Sequence, residues 1–125
     1  MTGSGSARAG GGGAGSGLNW TAVSATTAAI RSVGCDEAAA ALTAYRRDAG
    51  TSRSGQAAAA QQTYRDLMGA ALNAEGVVGA EIRRLAAEFQ ELSFRLTGMT
   101  GGDPNQVIAD INTDVAEFNR SCASD

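Results

Sequence analysis

From Tyr64 to Leu96 the positions Tyr64, Met68, Ala71, Glu75, Val78, Ile82, Leu85, Phe89, Leu92 and Leu96 alternate four and three residues apart, and all but Glu75 are apolar. That rhythm is the seam of helices packing at a shallow angle, and a strand cannot present it on one face. It predicts one long helix over about 56–97. Glu75 in the seam, with Gly76 and Gly79 behind it, marks a place near 76 where the helix could break, since glycine costs about 1 kcal/mol against alanine in a helix interior. The stretch "GMTGG", residues 98–102, ends it.

The other elements follow from caps and stops. "DPNQ", residues 103–106, places Asp103 at an N-cap, Pro104 at the first helical position and Gln106 where a capping box needs it. A helix over about 104–121 follows, with Ile108, Ile111, Val115, Phe118 and Cys122 on one face. A helix over about 36–49 is expected between Asp36 as N-cap and Gly50 as stop, burying Cys35, Ala38, Leu42, Tyr45 and Ala49. "GTSRSG", residues 50–55, reads as a turn. A further helix over about 20–33, capped by Asn19 and stopped by Gly34, would put Val23, Thr26, Ile30 and Val33 on one face, with Trp20 as an anchor at its start. Residues 1–17 hold eight of the 17 glycines and read as a flexible Gly/Ser/Ala-rich tail. The expected architecture is all-α: one domain over 18–125, an antiparallel bundle of three to four helices with one long helix, behind a disordered tail.

Charge and composition exclude more function than they suggest. All ten basic residues are arginine, and there is neither lysine nor histidine. Arginine in place of lysine, with abundant Ala and Gly, is what a GC-rich genome writes, and an actinobacterial source is expected. Without His, no Ser-His-Asp or Cys-His device can form within the chain, and without Lys there is no P-loop. Two cysteines are too few for a zinc site of the usual kind. The net charge of −3 and a pI near 4.8 offer nucleic acid and anionic lipid no general attraction. No long apolar run predicts a membrane span, and no apolar core of a secretory signal is present. The chain is expected to be cytoplasmic or exported without a Sec signal peptide.

Three features carry candidate function. Asp110, Asp114 and Glu117 share a helix face that could offer oxygens to a hard cation, but a helix cannot wrap its own carboxylates around an ion. They read as a solvated face, and no metal, cofactor or catalytic residue is assigned. Cys35 and Cys122 are open to three readings: two buried thiols, one disulfide, or a reactive thiol at Cys35 beside a helix start. The small-residue string "GVVGAEIRRLAAEF", residues 76–89, lets another backbone approach closely, either the rest of this chain or a second chain, and the long seam of Val78, Ile82, Leu85, Phe89, Leu92 and Leu96, with Trp20, predicts a surface for a protein partner in a homo- or hetero-oligomer.

With its Ala/Gly-rich helices, its three-four rhythm and a Trp near the start of the first helix ("LNWTAVSATTAAI", residues 18–30), the chain resembles the small WXG-type helical proteins of actinobacterial type VII secretion. The resemblance covers roughly residues 18–97. Thr21 and Ala22 follow Trp20, so the Trp-x-Gly turn is absent; Ala49 and Met68 stand four residues after the tyrosines, so the Tyr-x-x-x-Asp/Glu export motif is absent too. No functional residue carries over. The resemblance implies an exported helical hairpin that pairs with a partner and has no enzymatic activity. The alternatives are a structural or adaptor subunit of a phage or other particle that forms homo-oligomers, and a small cytoplasmic regulator.

Overall fold

The structure, a computed structural model, describes residues 32–124. They form four helices, α1 (Cys35–Asp48), α2 (Arg53–Ala71), α3 (Gly76–Thr97) and α4 (Pro104–Ser124), with no strand among the described residues. The tail over 1–17, Trp20 and the expected helix over 20–33 as far as residue 31 lie outside the described residues; Val33, expected on the buried face of that helix, is instead exposed in the turn before Cys35.

The long helix expected over 56–97 is instead two helices. After Ala71 the backbone tightens, with Leu72, Asn73 and Ala74 each donating to the carbonyl three residues back. Glu75 is extended at the N-cap of α3, and Gly76 holds a φ of 63°. A Cβ on Gly79 would lie 2.8 Å from the Ala74 carbonyl oxygen, so only glycine lets the new helix start this close to the turn. The four-three phase changes at the turn: Glu75 is exposed rather than in a seam, and Met68 is 39% exposed. The row that α2 buries runs instead through Ala57, Ala60, Thr63, Leu67 and Ala70.

The ends of the helices show local chemistry at work. Ser52 caps α2, its hydroxyl accepting from the Gly55 N–H at 2.9 Å, which starts this helix three residues before the expected position. Asp36 is not the cap of α1. That position falls to Gly34, at φ 100°, with no side-chain bond, and Asp36 and Glu37 instead occupy the first turn, where the helix dipole favours carboxylates. Glycine is required there twice over, since a Cβ would lie 2.9 Å from Cβ of Ala74. After α3, Gly98 at φ 82° and Met99 donate to the carbonyls of Arg95 and Phe94, a Schellman closure. Asp103 caps α4 by accepting from the Asn105 N–H at 2.9 Å, while the Gln106 side chain accepts from Arg95 rather than returning to the cap.

α3 packs against α2 and α4, and α1 packs against α2. Arg53 at the start of α2 donates to the carbonyls of Leu96 and Arg95 at the end of α3, at 2.9 and 3.2 Å. The core gathers Ile82, Leu85, Phe89 and Leu92 of α3 with Leu42, Leu67, Ile111, Val115 and Phe118, all fully buried. Tyr45 of α1 meets the Phe89 ring edge-on, with centroids 5.0 Å apart. A second buried row on α3, Gly79, Ala86 and Ser93, is small and heptad-spaced. Phe89→Ala should therefore cost about 3–5 kcal/mol, the range for truncating a fully buried aromatic side chain. Urea unfolding with the disulfide intact measures it, and a loss below about 1 kcal/mol would show that Phe89 is not a keystone.

Candidate functional site

Cys35 opens α1 and Cys122 stands in the last turn of α4. The two form a disulfide, with Cα atoms 6.0 Å apart across a sequence separation of 87. Both are fully buried. α1 and α4 are not packed extensively against each other, so the bridge joins two helices that the core links mainly through α2 and α3. Of the three readings open in the sequence, the structure contains the disulfide. Neither cysteine is free.

Beside Cys122, Ser121 donates to Oε2 of Glu81 at 3.0 Å. Glu81 is only 7% exposed, and its Oε1 is buried with no donor. Two turns further along α3 lies the half-buried Glu88, and one turn before it Arg84 reaches Oδ1 of Asp114 on α4 at 3.9 Å. Burial, the Asp114 carboxyl and then Asp110 push the Glu88 carboxyl up to about 9, with Arg84 opposing. Oε1 of Glu88 is also buried with no donor. At the far end of α3, Arg95 binds Glu91 at 2.8 Å and donates to the Asp103 carbonyl and Oε1 of Gln106 at 3.0 and 3.2 Å. Hydrogen bonds from Arg95 and Thr100 help hold the Glu91 carboxyl below its usual range.

The predicted site residues divide clearly. The face of Asp110, Asp114 and Glu117 does not converge: Asp114 turns to Glu88 and Arg84, Glu117 pairs with Arg120 at 2.8 Å, and Asp110 stays exposed. Among the described residues no group of three or more Cys, Asp or Glu side chains is placed to hold a metal ion. The seam residues Val78, Ile82, Leu85, Phe89, Leu92 and Leu96 are all buried in the chain's own core, so they are not the partner surface expected of them. The reason is the turn at residues 72–75, which folds α2 back onto α3 and covers the seam internally. The large apolar side chains that remain exposed are Val33, Met68, Leu72, Val77 and Met99. Leu72 and Val77 flank the α2–α3 turn, and Val33 comes to the same end because Gly34 lies against Ala70 and Ala74. The buried carboxylates Glu81 and Glu88 were not legible as site residues. Each directly precedes a seam residue, and a glutamate there reads as surface.

No protein-family model, curated protein or solved structure matches this chain. No described helix is long and apolar enough to cross a membrane.

A disulfide closing so long a loop should contribute about 4–5 kcal/mol, chiefly by restricting the unfolded chain. Replacing both Cys35 and Cys122 with serine should lower stability by that amount in chemical denaturation and leave the helical circular dichroism in place. An unchanged midpoint would show that the bridge only decorates a core already sufficient without it.

Proposed function

We propose that this chain is a non-enzymatic helical interaction protein, a substrate or partner associated with type VII secretion, that works by helix pairing outside the reducing cytoplasm. The observation that carries this reading is the buried Cys35–Cys122 disulfide. Such bridges persist in oxidising compartments and are rare in cytosolic proteins. The residues absent from the sequence support a non-enzymatic role, since a chain with no His or Lys cannot build a histidine-activated nucleophile or a Schiff-base lysine. With the seam of α3 spent internally, the surface available for pairing on the described residues is the apolar end formed by Leu72, Val77 and Val33. The same observation weakens the particle-subunit alternative, which needed that seam for homo-oligomers.

Two measurements test the proposal. Protein isolated from its source and alkylated without reductant should show no added mass, and two added groups after reduction. It should also be recovered from the culture medium, and that recovery should stop when the secretion ATPase is inactivated. Two free thiols in the native protein, or export that ignores the ATPase, would overturn the reading.

A further inference from the structure

Most of the large apolar side chains exposed among the described residues gather at one end of the bundle. Leu72, 83% exposed, follows α2, with Met68 one turn before it; Val77 opens α3, and Val33 precedes α1. Tyr64, half-buried against the core, stands one turn further back, so Tyr64, Met68 and Leu72 form a row at four-residue spacing along α2. Gly34 fixes where the chain enters. A Cβ there would lie 2.9 Å from Cβ of Ala74, 3.2 Å from Cδ1 of Ile82 and 3.3 Å from the Ala70 carbonyl oxygen. The Ser32 carbonyl accepts from the Cys35 N–H at 3.1 Å, which holds residue 32 beside the same end. The described residues begin there, so the chain before Ser32 departs from the edge of the apolar row.

That chain has the side chains to cover the row. Residues 18–31 carry Leu18, Trp20, Val23 and Ile30, while residues 2–17 carry no apolar side chain larger than alanine. The lengths also agree. From Leu72 back to Tyr64 is about 12 Å of α2, and from Ile30 back to Trp20 is about 15 Å if the segment takes the helix its sequence predicts.

We propose that residues 18–31 dock on this surface, running alongside α2 in the same direction, with Ile30 against Leu72 and Val77 and Trp20 against Tyr64 and Met68. Size and tethering select this occupant over a second copy. A stable interface between chains uses about 20–30 residues a side, far more than this row and its neighbours offer. A segment already attached at Ser32 has little translational freedom left to lose, so a few apolar contacts suffice to hold it. The proposal does not rest on the secretion reading. It says what covers this end in the free chain, and a partner would meet the segment and the end together.

Trp20 is the chain's single tryptophan, so its fluorescence reports on this segment alone. In the whole, oxidised chain its emission should lie well to the blue of its position in urea and should not move on dilution. Met68→Glu combined with Leu72→Glu changes two exposed positions. The pair should return the emission to its position in urea while the helical circular dichroism persists. Native emission equal to that in urea would overturn the proposal, as would a blue shift that survives both substitutions. A blue shift that fades on dilution would overturn it too and assign the surface to a second copy. Methionine-methyl NMR gives a reading that leaves α2 unaltered. Trp20→Ala should shift the Met68 methyl resonance and leave that of Met99, exposed beyond the other end of α3, in place. An unmoved Met68 methyl would show that Trp20 does not lie on this row.

Discussion

Ile82, Leu85, Phe89 and Leu92 project from α3 into a space that α1 and α2 line largely with alanine: Ala38, Ala41, Ala57, Ala60 and Ala70. Everything else in the fold depends on α3 being covered there. Each large side chain of this kind stabilises by about 1.5–3 kcal/mol when fully buried, while an alanine contributes little beyond letting backbones approach. Bulk from α3 therefore meets a smooth, small-residue surface from α2. A core so built packs closely but has few side chains able to change rotamer and fill a gap. The T-shaped contact of Tyr45 on Phe89 is one of the few places where α1 supplies bulk of its own.

The polar contacts at the α3–α4 boundary do a different job. Pairing Glu81 with Ser121, Glu88 with Asp114 and Arg95 with Gln106 moves down α4 as it moves up α3, in steps of two helical turns. An apolar face alone would tolerate sliding by a turn, since leucine against valine is nearly as good one heptad away. The half-satisfied carboxylate of Glu81 would not, because a slip strands it without its Ser121 donor. Register is thus set by groups that add little stability, while the apolar rows supply the stability without setting register.

The same division explains what could be read from the sequence. The seam of α3 was legible because its residues are large, and α4 because "DPNQ" combines a cap with a proline that only a helix start accommodates. The turn at residues 72–75 was legible only as a weak point at Glu75–Gly76. Tyr64, Met68 and Ala71 continue the four-three count, and alanine serves as buried or exposed residue equally well, so the buried row of α2 left no contrast to detect. Glu88 was hidden for the opposite reason: a charged residue next to a seam is nearly always solvated, and only the fold shows which one meets a second carboxylate. The disulfide stood open as one of three readings, because whether two helix ends meet depends on every turn between them.

A thin core and a long covalent loop belong together in a chain of this length. The described domain is near the size at which a single core leaves modest margin, and alanine-rich helices reduce that margin further. The bridge adds stability through the unfolded state, where packing quality is irrelevant, so it compensates for small side chains without requiring larger ones.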